Sequence, residues 1–181
     1  KLIAQDQITS LSLRNPSADW KLSSPYDVAE IIACLEVVEP DVIFHTVGLM
    51  KCGDPREFFR LNFHFANSLM SAVHATGGRQ KVILMGSAAE YGSIDLRDLP
   101  VTESSVAKPQ TIYGRSKLAQ TELGLIFRRI GLDVITVRAF NIFGIGQSSD
   151  FVVGKIVNRL LSEGAGEEGA VLVRKYALDK N

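Results

Sequence analysis

Short apolar runs at residues 41–45, 81–85 and 133–137 alternate with amphipathic segments of helix length, and this alternation predicts an α/β fold. The runs are rich in Val and Ile, as strands buried on both faces are. Each is joined to the next by a segment long enough to hold the helix that a parallel crossover requires. The expected architecture is a doubly wound parallel sheet with helices on both faces.

The elements follow in order. Residues 1–6 read as the tail of a helix and residues 8–13 as a strand with alternating apolar side chains. Arg14, Asn15 and Pro16 break that pattern. Ser24 and Pro25 open a helix with a capping hydroxyl and an early proline, and Asp27 adds a carboxylate in the first turn. Val28, Ile31, Ile32 and Leu35 share one face of it, and Pro40 marks its limit. After the strand at 41–45, Asp54, Pro55 and Glu57 supply the cap, proline and capping acid of a second helix. Its apolar face runs through Phe58, Leu61, Phe65, Leu69 and Val73 to a stop at Gly77 and Gly78. The strand at 81–85 leads into a loop rich in Ser, Thr and Pro, then a helix that ends at Gly131. A strand at 133–137 and an amphipathic helix at 151–161 come next. Residues 164–169, GAGEEG, read as a linker, and residues 170–173 as one more strand. This gives one domain over 1–163, with a linker and the start of a further lobe over 164–181.

With 181 residues, 46% hydrophobic and 22% charged, the chain can bury a sizeable core. Twenty basic and twenty acidic residues cancel, so there is no general attraction to nucleic acid or to an anionic membrane. No apolar run approaches the roughly 20 residues of a membrane span, and no signal peptide is visible, so a cytoplasmic location is expected. Cys34 and Cys52 are far from any CxxC spacing and read as free thiols. His45, His64 and His74 form no HxxxH pair, and no metal site is expected.

The chemistry is expected at the carboxyl ends of the strands, where open parallel sheets bind ligands. Three such ends carry suggestive residues: the HTVG run at 45–48, the MGS run at 85–87 and the RAFN run at 138–141. Between the second and third lies the YGRSK run at 113–117. On a helix its Tyr113 and Lys117 share a face, and a neighbouring cation favours a phenolate that can exchange a proton with a carbonyl or alcohol. Ser87 stands at a strand tip from which its hydroxyl can face that phenol.

These segments resemble the extended short-chain dehydrogenase/reductases, which epimerise, dehydrate or reduce nucleotide sugars. The resemblance rests on PDVIFH at 40–45 with TVG after it, RLN at 60–62, SAAEYG at 87–92, the Tyr113/Lys117 pair and RAFNIFG at 138–144. It implies a Rossmann-like sheet, here without its first strand and glycine-rich turn, since the sequence holds no GxxGxxG. It implies Tyr113 as general acid/base, Lys117 as the cation that tunes it and holds the nicotinamide ribose, and Ser87 as a hydrogen-bond partner of the reacting sugar oxygen. Thr46, Val47, Gly48, Asn62 and Phe140 would line the cofactor, and Asn141 would reach the substrate. Each residue also has a plainer reading: Ser87 as a turn cap, Asn62 as a helix residue tying down a loop, Phe140 as core and Asn141 as a turn residue. His45 reads as structural, and Tyr91 as packed or locally hydrogen-bonded. The adenine-contacting acidic pair of the family is replaced by Lys21 and Leu22.

Within the family, dehydratases carry an acid two places after the serine or threonine. That place is Ala89 here, and Glu90 follows it, which on a strand-like segment would point to the opposite face. No dehydratase activity is expected. The SAAEYG and NIFGIGQSSDFV segments most resemble GDP-4-keto-6-deoxy-mannose reductases, which implies hydride delivery to a C4 ketone of a nucleotide sugar. A 4-epimerase of the UDP-glucose type is the alternative, and a non-enzymatic relative without cofactor is a third reading. Arg14, at the end of the second strand, favours NADP over NAD. The resemblance also implies a homodimer built on the helices beginning at Pro55 and near Gln110.

Overall fold

The computed structural model describes residues 8–13, 15, 17–144 and 147–163. The expected helix at 1–6, Arg14, the linker at 164–169 and the strand at 170–173 all lie outside the described residues. The chain divides into two units, Lys1–Phe140 and Asn141–Asn181.

In the first unit, two very short parallel strands, β1 (Leu11–Ser12) and β2 (Trp20–Lys21), pair with each other. β1 is thus a fragment of the strand expected at 8–13. The main sheet has three parallel strands in the order β3 (Val42–His45), β4 (Lys81–Ser87) and β5 (Asp133–Ala139). Its register aligns His45 with Leu84 and Ser87 with Ala139, so the carboxyl ends of the three strands lie at the same end of the sheet.

Helix α1 (Val28–Val38) begins three residues later than its Ser24–Pro25 signal suggests. Asp27 is its cap, accepting the Glu30 N–H, and Glu39 closes it in the left-handed region at φ 44°. The second helix starts as the sequence says, with Asp54 capping Pro55 at its first turn. It does not run uniformly: α2 (Pro55–Phe59) passes through a π-helical turn (Arg60–His64) into α3 (Phe65–Ala75). Helix α4 (Ile112–Arg129) is capped by the Thr111 hydroxyl.

One core joins these elements. Ile31 of α1, Phe65 and Val73 of α3 and Leu123 of α4 close over Val82, Leu84 and Val134 on one sheet face. The opposite face presents Val42, Phe44, Ile135 and Val137 as exposed residues. In the second unit the described element is helix α5 (Val152–Glu163). Among the described residues, no helix is long and apolar enough to cross a membrane.

Candidate active site

Glycine decides how close α4 comes to the sheet. A Cβ on Gly124 would stand 2.8 Å from Leu84 Cδ1, and one on Gly114 only 2.5 Å from the Ala89 carbonyl oxygen. No larger residue fits at 114 without moving backbone. The amino-terminal turn of α4, which carries Tyr113, therefore presses on the turn that follows Ser87. Tyr113 is half-buried there, its ring edge-on to Phe58 at 6.4 Å.

Lys117, one helical turn further on, is buried, and its Nζ donates to Gln120 Oε1 at 2.6 Å. Gln120 Nε2 in turn donates to the Met85 carbonyl at 3.3 Å, which anchors the pair to β4. Burial lowers the ammonium from the ordinary 10.5 to about 8, with the negative charge of Glu90 acting in the other direction. At neutral pH the group is still mainly a cation.

Across from Lys117 the chain leaves β3 through Thr46, Val47 and Gly48. A Cβ on Gly48 would lie 3.5 Å from Asn62 Oδ1 and 3.7 Å from Lys117 Nζ, so the bare glycine leaves a small polar cradle beside the ammonium. Thr46 is exposed and Val47 packs against the core.

Asn62 is fully buried within the π turn. Its Oδ1 accepts the Leu49 N–H at 2.8 Å, and its Nδ2 donates to the Leu49 carbonyl at 3.2 Å and to Ser116 Oγ at 2.9 Å. Ser116 Oγ donates to the Tyr113 carbonyl at 2.7 Å. One amide thus clamps the loop after β3 to the helix that bears Tyr113 and Lys117. π turns are rare and recur at functional sites.

Ser87 ends β4 and caps a 3-10 turn (Ala88–Glu90), its Oγ accepting the Ala89 N–H at 3.2 Å. The segment is a turn, not the extended strand that the sequence reading assumed. Glu90 consequently folds back under the strand end instead of projecting from a face. It is fully buried, and its Oε1 accepts the Ser87 N–H at 2.8 Å.

The structure thus gathers Gly48, Asn62, Ser87, Tyr113 and Lys117 around two strand ends. Phe140 is 58% exposed and lies 6.2 Å from the Tyr91 ring. Together with Tyr91, Thr121 and Arg138 it lines a groove of about 530 Å³ whose lining includes none of Ser87, Tyr113 and Lys117. Asn141 belongs to the second unit. Sequence reasoning missed Ser116 and Gln120, and it took Glu90 for a residue facing away. The Ser-x-x-Glu spacing of Ser87 and Glu90, a capping-box signature, was the available signal.

Residues 12–175 match the NAD dependent epimerase/dehydratase family. The chain belongs to that family. It is 27% identical over 147 residues to the dTDP-6-deoxy-L-talose 4-dehydrogenase (NAD(P)(+)) of Kitasatospora kifunensis, covering 81% of this chain and 46% of the relative. It is 28% identical over 145 residues to the GDP-6-deoxy-D-talose 4-dehydrogenase of Aggregatibacter actinomycetemcomitans, covering 78% and 47%. Among solved structures, RMD from Pseudomonas aeruginosa complexed with NADPH superimposes with a TM-score of 0.69 at 25% identity, covering 76% of this chain and 48% of that one. The chain spans about half the length of the curated relatives it matches.

The family's description implies a nicotinamide dinucleotide. The described residues fit a polar group of that kind, because the open α-carbon of Gly48 faces the Lys117 ammonium across a gap that a side chain would fill.

Proposed function

We propose that this chain carries the catalytic part of a nucleotide-sugar oxidoreductase that reduces a 4-keto-6-deoxy sugar of the GDP-4-keto-6-deoxy-mannose type. The observation that carries the reading is a buried Lys117 beside the Gly48 cradle, one turn after Tyr113 on the helix whose Gly114 abuts the Ala89 carbonyl of the Ser87 turn. The two 6-deoxy-talose 4-dehydrogenases support chemistry at C4 of a 6-deoxyhexose, since their named reaction run backwards is a C4 ketone reduction.

When bound, NADPH or NADH supplies the hydride. Gly48 and Lys117 would hold its ribose, with Thr46, Val47 and Phe140 as further lining. Ser87 Oγ accepts the Ala89 N–H, which leaves the hydroxyl proton available for the sugar oxygen at C4. Tyr113 delivers its phenolic proton to that oxygen as negative charge develops on it. The Lys117 ammonium stabilises the phenolate left behind, and the Asn62–Ser116 clamp keeps the helix from shifting during the transfer. Among the described residues, the serine turn offers no acid to protonate a leaving hydroxyl: residues 88 and 89 are alanines and Glu90 is spent on internal hydrogen bonds. This argues against dehydration.

Turnover of a nucleotide-4-keto-6-deoxy sugar, followed by NADPH or NADH absorbance, tests the reading. Tyr113→Phe is expected to lower kcat by about 10²–10⁴-fold with the protein still folded. Undiminished turnover in that variant would remove the proton donor and the mechanism with it. Sugar interconversion without net loss of reduced cofactor would favour the 4-epimerase. Failure to bind either dinucleotide would favour a non-enzymatic relative. Comparing the two cofactors tests the preference for NADP expected from Arg14. A homodimer through α2, α3 and α4 is part of the same proposal, supported by exposed Phe59, Leu125 and Ile126, and sedimentation checks it.

A further inference from the structure

We propose that Glu90 is a positioning residue that sets the direction of the Ser87 hydroxyl by tying the serine turn to α4 and β5. This deepens the reductase reading and rests on it.

Among the described residues, the Glu90 carboxylate has three donors. Oε1 takes the Ser87 N–H at 2.8 Å, and Oε2 takes the Thr121 hydroxyl at 2.9 Å and Arg138 Nε at 2.7 Å. The three donors come from the end of β4, the middle of α4 and β5. The bond to Ser87 is the reciprocal half of a capping box, so the backbone bearing the hydroxyl is gripped from beneath while its Oγ is occupied by Ala89. Arg138 is itself fixed: one of its terminal nitrogens donates to the Tyr91 hydroxyl at 3.2 Å, and its guanidinium carbon stands 4.9 Å above the Tyr91 ring. Gly86 makes room for the arrangement, since a Cβ there would come within 2.6 Å of Glu90 Oε1. A carboxylate accepts from all three donors without conflict. A glutamine has one acceptor oxygen and would turn an N–H toward a donor.

Kinetics and amide exchange test the proposal on the same proteins. In Glu90→Gln, kcat for the 4-keto sugar is expected to fall about tenfold or more while KM changes less than about threefold, the signature of a lost transition-state interaction. The double variant E90L/R138M replaces the ion pair by apolar bulk and should fold stably, because buried pairs can be exchanged this way. Its kcat should nevertheless stay low, and exchange of the Ser87 amide, followed by NMR, should quicken about tenfold or more as that N–H loses its acceptor. Wild-type kcat in folded E90L/R138M, or unchanged exchange at Ser87, overturns the proposal. If the wild-type protein reduces no sugar, the reductase reading fails, and the exchange rate at Ser87 alone decides the positioning role.

Discussion

Two fully buried ionisable residues stand at the ends of neighbouring strands, and they are held in opposite ways. Glu90, after β4, has both oxygens occupied by donors from three elements. His45, at the end of β3, is buried with no hydrogen-bond partner for either ring nitrogen among the described residues. Its ring lies 5.5 Å from Phe65. Burial pushes its pKa from 6.5 to about 3, and the Lys117 charge pushes the same way, so His45 is a neutral aromatic filler at physiological pH. The contrast shows what a buried polar group contributes. A satisfied one specifies geometry, because its partners can move only by losing bonds; an unsatisfied one fills space and carries a desolvation cost.

Replacing each by leucine should break the comparison open. Glu90→Leu leaves the Arg138 guanidinium, the Ser87 N–H and the Thr121 hydroxyl without their acceptor, and should cost about 3–5 kcal/mol in chemical denaturation. Restoration of most of that loss in E90L/R138M would identify the stranded charge as its source. His45→Leu should stabilise the fold by about 1 kcal/mol at neutral pH, since no hydrogen bond is lost and two unpaired buried nitrogens are removed. Its larger effect belongs to acid. Between pH 6.5 and 3 the unfolded chain binds the proton that folded His45 refuses. Stability should therefore fall as pH drops through that window, by up to about 1.4 kcal/mol per pH unit, and be fully present above 6.5. Denaturation midpoints measured across the window should show a shallower acid limb in His45→Leu, and identical limbs would mean that His45 titrates normally.

The sequence announced some of this arrangement and concealed the rest for identifiable reasons. Asp54, Pro55 and Glu57 start α2 by local capping, and the Val- and Ile-rich runs become β3, β4 and β5, because both signals are short-range. β2 is two residues long and leaves no periodic trace. A 3.6-residue reading puts Asn62 on the same face as Phe58, Leu61 and Phe65, and all four are buried. What the pattern does not announce is the π turn around Asn62, nor the bonds of its amide to Leu49 and Ser116, which depend on residues distant in the chain. Tyr113 and Lys117 were legible because a helix fixes their relation. Gln120 was not, because a glutamine that holds a lysine looks like any surface glutamine until the burial is known.

Lys117 falls between the two extremes, and the smallest expected effect sharpens the comparison there. It is buried like His45 but has an acceptor, Gln120, as Glu90 has donors. Its folded pKa of about 8 lies below the ordinary 10.5, so the unfolded chain holds the extra proton between those values. Stability from this group should accordingly rise with pH from 8 to 10.5, while below 8 the cost of the buried ammonium is present in full. Other groups titrate in that alkaline range, so the measurement is the difference between wild type and Lys117→Met, in which this rise should vanish. Gln120→Leu should cost about 1 kcal/mol at pH 7, because the ammonium loses its acceptor while remaining charged. The same loss should move the onset of the rise below pH 8. An onset that stays put would mean that burial and the Glu90 charge set the Lys117 proton affinity and that Gln120 only orients the ammonium.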